Sequence, residues 1–237
     1  NDVDAGFSAL SVKKGGTTDV VNKDGYLFIA VDGVNYLFGY LGNDTILTLP
    51  ENYDGKNYRI SDKAFFECIN LMSVTIPSAV TGISDNAFVG CYKLAEVINN
   101  SNLNIVKGNR DNGRVGYNAL SVKKGGSTDI VNKDGYLFIT VDGVNYLFGY
   151  VGNDTKLTLP ENYDGQNYEI YKKAFYGCTS LTSVTIGSGV TSIGGYAFCG
   201  CHGLASVTIP DSVTSIGYSA FYGCTSLTSV TIGSGVT

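Results

Sequence analysis

The single histidine of this chain follows two cysteines, in the order Cys199-Gly200-Cys201-His202. A thiolate–imidazole pair or a zinc site draws on these residue types. The spacing is not Cys-x-x-Cys, however, and no second Cys/His cluster lies nearby in sequence. The motif therefore reads first as a surface histidine beside a structural cysteine. Paired carboxylates would equip a glycosidase. Asp24, Asp32, Asp44 and Asp54 recur as Asp134, Asp142, Asp154 and Asp164. Each sits beside a glycine or in an Asn/Asp turn, where aspartate serves the backbone. Oxygen ligands also gather at Asn22-Lys23-Asp24 and at Asn109-Arg110-Asp111-Asn112, and neither completes a calcium loop. The expectation is a protein that is not an enzyme and that carries no metal and no cofactor.

Binding chemistry is better represented. The phrase Ala-Phe-x-x-Cys-x-x-Leu-x-x-Val-x-Ile starts at Ala64, Ala174, Ala197 and Ala220, and more loosely at Ala87. Phe175, Phe198 and Phe221 are 23 residues apart, as are Cys178, Cys201 and Cys224. A fixed period of this length is the mark of a solenoid, in which each coil buries its apolar face only against its neighbours. In the strands of such coils Ser183/Thr185, Ser206/Thr208 and Ser229/Thr231 alternate with inward apolar residues, as Ser73/Thr75 do earlier. Stacked, they make two parallel hydroxyl rows on one face. That face is either a binding surface or a solvated sheet of good strand formers. Tyrosine is the other signal, with 17 residues. Tyr26, Tyr36, Tyr40, Tyr53 and Tyr58 all recur in the second half, and the segments that hold them are apolar on both faces. Exposed tyrosines such as Tyr36 and Tyr146 would offer rigid apolar area and a hydroxyl to a partner; the alternative is that these rings cover the flank of the solenoid.

One coil, from Leu181 to Leu204, shows how these side chains are positioned. Leu181, Val184 and Ile186 alternate with Ser183 and Thr185, which is strand periodicity with one apolar face. Gly187-Ser188-Gly189 makes a turn, Val190 and Ile193 form a second inward pair, and Gly194-Gly195 turns the chain again. A short helical turn at Tyr196-Ala197-Phe198 buries the phenylalanine before Cys201 and Leu204 restart the cycle. Five cysteines (Cys68, Cys91, Cys178, Cys201 and Cys224) share one repeat position and read as a ladder of small inward hydrophobes. Neighbouring coils lie about 4.8 Å apart, so disulfides are geometrically possible, although a ladder has no natural pairing. Cys199 is the extra one.

A longer period overlies the short one. Residues 8–55 return almost unchanged as 118–165, an offset of 110, with Thr17/Ser127, Ala30/Thr140 and Ile46/Lys156 among the few differences. Tyr26–Val31 and Val34–Tyr40 flank Asp32-Gly33, a strong hairpin signal. Leu47, Leu49 and Ile60 read as a degenerate coil that carries an insertion at Tyr53–Tyr58. The organisation expected is a linker and β-hairpin segment at 1–55, short repeats at 56–101, a linker and second hairpin at 102–165, and repeats at 166–237, in one continuous solenoid. The fold class is mostly β with short helical turns: a solenoid of 23-residue coils interrupted by hairpins and built as a tandem duplication.

Composition narrows the partners. A net charge of −5, a pI near 4.8 and scattered Lys and Arg argue against nucleic acid, which calls for clustered cations. Hydrophobic content of 43% argues against disorder. No apolar run reaches the ~20 residues of a membrane-spanning helix. Asn1-Asp2-Val3-Asp4 has no signal-peptide character. The stop at Gly235-Val236-Thr237 falls inside a repeat, without a polar cap, and reads as an interruption of a longer protein.

The string Ala-Phe-Tyr-Gly-Cys-Thr-Ser-Leu-Thr-Ser-Val-Thr-Ile, at Ala174–Ile186 and Ala220–Ile232, resembles the BspA-like leucine-rich repeat. So does Pro210-Asp-Ser-Val-Thr-Ser-Ile-Gly217. The resemblance covers 56–98 and 166–237, and it brings no catalytic motif. It implies a bacterial cell-surface or extracellular protein of adhesin type whose partner is a host or matrix protein or a glycan. Family members are linked to matrix-protein binding and cell aggregation. A structural spacer of a larger surface protein is the alternative that the same repeats would serve.

Overall fold

The computed structural model describes residues 20–237. The first-copy residues 8–19 of the duplication, and the linker expected before residue 20, lie outside the described residues. The chain forms two compact units, Asn1–Thr128 and Asp129–Thr237.

The first unit contains β1 (Val21–Lys23), β2 (Tyr26–Val31), β3 (Val34–Tyr40), β4 (Ile46–Thr48), β5 (Tyr58–Ile60), β6 (Ser73–Ile76), β7 (Val80–Ile83), β8 (Glu96–Asn99) and β9 (Ser121–Lys123). The second contains β10 (Val131–Lys133), β11 (Tyr136–Val141), β12 (Val144–Tyr150), β13 (Lys156–Thr158), β14 (Tyr168–Ile170), β15 (Ser183–Thr185), β16 (Val190–Ile193), β17 (Ser206–Ile209), β18 (Ser215–Ile216) and β19 (Ser229–Ile232). Each unit has two sheets. The orders are β1-β2-β3-β5-β7 and β4-β6-β8-β9 in the first, and β10-β11-β12-β14-β16-β18 and β13-β15-β17-β19 in the second. The solenoid expected from the 23-residue period forms, with the leucine-rich-repeat fold that the resemblance implies. Its helical turns are successive i→i+3 backbone bonds, such as Ala197 to Gly194, Cys199 to Tyr196 and Cys201 to Phe198.

The meander joins the solenoid rather than standing apart from it. β2 and β3 pair antiparallel around Asp32 and Gly33, whose φ values of 49° and 77° make the tight turn. β3 then pairs in parallel with β5 of the first coil. The second unit repeats this through β12 and β14. A third meander strand, β1, turns at Asp24-Gly25. Leu47, Leu49 and Ile60 are buried, so the degenerate coil is a full member of the stack. The segment expected to be linker after residue 101 also supplies core: Ile105, Val115 and Ala119 are buried, and β9 is the next rung after β8.

The inward residues fill two cores. In the second, Leu181, Val184, Ile186, Val190, Ile193 and Phe198 are all 3% exposed or less. Phe175, Phe198 and Phe221 stack with centroids 4.9 and 5.3 Å apart and rings parallel within 1°. Phe65 and Phe88 make the equivalent stack in the first unit at 4.7 Å. The cysteine ladder runs beside these rings, and none of the six cysteines is in a disulfide. Cys91, Cys201 and Cys224 donate to the carbonyls of Phe65, Phe175 and Phe198, each at 3.1 Å. The bond with Cys68, and burial, push the Cys91 thiol well up; Cys178 and burial do the same for Cys201.

Candidate functional site

The hydroxyl rows form in register. Ser183, Ser206 and Ser229 stand opposite one another across β15, β17 and β19, and Thr185, Thr208 and Thr231 make the second row. The parallel ladder enforces this, because strands of identical Ser-Val-Thr sequence at constant spacing pair like with like. Val184 and Val207 are buried between the rows, whereas Thr185, Thr208, Ser229 and Thr231 are exposed and Ser183 and Ser206 half-buried. β13 extends each row by one rung, placing Lys156 beside Ser183 and Thr158 beside Thr185. Periodicity misses this rung because 27 residues, not 23, separate Lys156 from Ser183.

The same face of the first unit differs. Its rows run Ile46, Ser73, Glu96, Ser121 and Thr48, Thr75, Ile98, Lys123. Ser73, Glu96 and Ile98 are at most 2% exposed. Glu96 accepts from Ser73 Oγ at 2.5 Å and Thr128 Oγ1 at 2.6 Å, and pairs with Lys123 at 3.2 Å. This is a buried carboxylate whose acceptor capacity is met by bonds, as a buried charge requires.

Most recurring tyrosines belong to the core. Tyr58 and Tyr168 are 1% exposed and donate to the carbonyls of Pro50 and Pro160. Tyr26 and Tyr136 are buried and donate to Thr48 and Thr158, while Tyr53 and Tyr163 stack on Phe28 and Phe138. Tyr36 and Tyr146 remain half-exposed on β3 and β12. Tyr146 meets Tyr171 edge-on at 5.7 Å, and burial raises the pKa of both hydroxyls. The first copy has Ser61 at the Tyr171 position. Further along the second unit Tyr218, 73% exposed, packs edge-on against Tyr196. Gly195 makes room for it, since a Cβ there would come within 2.9 Å of the Tyr218 ring. Lys173 lies over both Tyr196 and Tyr176. The second unit therefore presents aromatic groups at 171 and 196 where the first copy has Ser61 and Asn86, and adds Tyr218 in its additional repeat.

The residues considered for chemistry have structural employment. His202 Nδ1 lies 2.8 Å from the Gly223 carbonyl, which makes it the protonated nitrogen. Among the described residues no group of three His, Cys, Asp or Glu side chains could hold a metal. Asp24, Asp32, Asp54 and their copies all occupy positive-φ turn positions. Asp44 and Asp154 differ: they accept from the hydroxyls of Tyr40 and Tyr150. Asn22 and Asn109 spend their side-chain oxygens on turn N–H groups, of Gly25 and Asp111. No helix among the described residues is long and apolar enough to cross a membrane.

The chain is similar to three solved structures at low identity. A Treponema pallidum (T. pallidum) leucine-rich repeat protein is 24% identical, over 89% of this chain and 70% of that one, at a TM-score of 0.30. A leucine-rich cell surface protein from Faecalibacterium prausnitzii is 18% identical, over 94% and 96%, at 0.32. The pneumococcal vaccine antigen PcpA is 14% identical, over 92% and 82%, at 0.36. No curated protein sequence matches the chain. The repeat itself is decisive: six copies of the BspA type leucine-rich repeat region match residues 34–109 and 144–237. With well over half of its length in those copies, the chain belongs to the BspA-type leucine-rich repeat family.

Proposed function

We propose that this chain is a non-enzymatic, surface-exposed binding protein of adhesin type, and that the second unit engages a host or matrix protein or a glycan through its hydroxyl rows. The observation that carries this reading is the in-register array of Ser183, Ser206, Ser229 and Thr185, Thr208, Thr231, open to solvent on one sheet. A parallel sheet face with donors and acceptors at each rung can meet an extended partner repeatedly, and repeated weak contacts add up. Tyr146 and its neighbour Tyr171 supply a second, aromatic patch; Tyr36 stands alone in the first copy. A location on the cell surface or outside it goes with this role, and no cofactor takes part.

The test is binding of the protein to immobilised matrix proteins, fibronectin and fibrinogen included, and to host and bacterial glycans. The Thr185→Arg/Thr208→Arg double variant is run alongside. Saturable binding lost in that variant is the expected result, because two long cations would block both central rungs. Binding that persists in the variant moves the site to the tyrosines. No binding across the panel favours the spacer reading, which the near-identity of the two copied segments also suits.

A further inference from the structure

Where each meander runs into its first coil, the two copies build the same small cleft and leave it in different states. In the first unit the cleft is walled by Tyr40, Asn43, Asp44, Leu47 and Leu71 and has a volume of about 10 Å³, no more than one water occupies. In the second it is walled by Tyr150, Asn153, Asp154, Leu157, Ser180 and Leu181 and opens to about 320 Å³. That lies at the small end of the range of small-molecule sites. The residue that differs is at the rim. In the first copy Asn70 Nδ2 donates to Asn43 Oδ1 at 2.8 Å and latches the mouth. The second copy has Ser180 at that position, two heavy atoms shorter.

The walls have a definite chemistry. Leu157 and Leu181 form an apolar floor that is almost wholly buried. Above it stand a carboxylate, an amide and two hydroxyls, a mixture of acceptors and donors without a cation. Tyr150 donates its hydroxyl proton to Asp154, and its hydroxyl oxygen lies against Gly152, where a Cβ would come within 2.1 Å. The bond to Asp154 pushes the tyrosine up to about 12, and its hydroxyl oxygen keeps lone pairs that can accept. A carboxylate at the mouth of a protein of net charge −5 repels anions. A neutral ring with vicinal hydroxyls on its edge and C–H groups on its face fits both the polar rim and the apolar floor.

We propose that the cleft formed by Tyr150, Asn153, Asp154 and Ser180 over Leu157 and Leu181 binds a neutral pyranose sugar, such as the end of a glycan chain, and that Asn70 holds its twin in the first unit shut. This deepens the binding reading above by naming a sugar as a ligand, and its site is separate from the hydroxyl rows.

The experiment is saturation-transfer NMR of the whole chain with glucose, galactose, mannose and N-acetylglucosamine, each free in solution. It is repeated on Ser180→Asn, Asp154→Ala and Thr185→Arg/Thr208→Arg. Ser180→Asn installs the residue that the first copy already carries there, so folding is not at risk. At least one of the four sugars is expected to receive saturation and to bind about tenfold more weakly in Ser180→Asn and Asp154→Ala, the size of one lost polar contact, with no change in the Arg variant. Saturation of none of the four overturns the proposal, as does an affinity that neither cleft variant moves. The Arg variant keeps the two readings apart: it removes row-dependent binding of macromolecules and leaves the sugar signal in place.

Discussion

The two units begin from nearly the same sequence and present different faces. In the first, the rung after Ser73 and Thr75 is Glu96 and Ile98, and the one after that is Ser121 and Lys123. In the second, each rung after Lys156 and Thr158 repeats serine and threonine. The inward residues of these strands are alike: Val74 and Val97 in one, Val184 and Val207 in the other, all buried. Identity of the inward set makes the coils stack, and the outward set is then at liberty to vary. One outward carboxylate and one isoleucine turn an open hydroxyl array into a buried polar knot. The solenoid thus keeps its inward set constant and lets its outward face vary.

The inside half of that statement is the easiest to break. Phe88→Ala and Phe198→Ala each remove a fully buried ring, and each is expected to cost about 3–5 kcal/mol in denaturant unfolding. Phe198 stacks on both Phe175 and Phe221, so its loss should exceed that of Phe88 by about 1 kcal/mol, one aromatic pair. Equal costs would mean that the third ring adds no cooperativity.

The outside half is sharpened by residue 96 and its counterpart 206. Glu96→Ala leaves the donors of Ser73, Thr128 and Lys123 without their shared acceptor in a buried place, and should cost about 3 kcal/mol. Ser206→Ala, at the same rung position of the second unit, should stay within about 0.5 kcal/mol. Chemical denaturation of the two variants decides it, and similar values would refute the claim that the two faces differ energetically.

Alkaline pH should act on both units alike. Burial, followed by the charges of Asp44 and Asp24, raises Tyr26 from 10.0 to about 12, and burial raises Tyr58 and Tyr168 further. A group whose folded pKa is raised binds more protons folded than unfolded once pH passes the unfolded value. Stability is then intact below pH 10 and falls above it, by about 1.4 kcal/mol per pH unit for each of Tyr58 and Tyr168. Thermal melts stepped from neutral through pH 12 would follow it. The Tyr168→Phe variant should flatten the slope by one tyrosine's share, although it also forfeits the bond to Pro160.

Much of this was legible from the residues. The 23-residue period placed Leu181, Val184, Ile186 and Phe198 inside, because only one residue spacing brings identical strands into register. It also marked the hydroxyl rows wherever Ser-Val-Thr kept that spacing. The rung of Lys156 and Thr158 breaks that spacing, because an insertion stretches the coil to 27 residues, and only the likeness of its strand to the repeat strands marks it as part of a degenerate coil. The period missed β1, a three-residue strand whose only signal is a second Asp-Gly turn. The residues leave the tyrosines open between a partner surface and a cover for the solenoid flank; Tyr26, Tyr53 and Tyr58 are interior, because apolar rings on both faces of a hairpin fill a core as readily as they make an exposed face. The cleft at Ser180 was invisible, since one Asn-to-Ser difference at a variable position has meaning only when Asn43 stands opposite.

The smallest effect concerns the turn that the copies share. Asp32-Gly33 and Asp142-Gly143 have φ values of 49° and 77°, and of 52° and 78°. No atom lies within 4 Å of a Cβ built on either glycine. Gly33→Ala and Gly143→Ala therefore introduce no clash, and the cost is the left-handed backbone alone, about 1 kcal/mol in each case. Since the local geometry is the same, the two costs should agree to within the roughly 0.5 kcal/mol usual for equivalent independent sites. Each β-turn belongs to the antiparallel hairpin that leads into its own stack, so hydrogen exchange of β2–β3 and β11–β12 amides reads the two changes separately. A cost in one copy and none in the other would show that the units hold their meanders with different strength, despite a turn sequence they have in common.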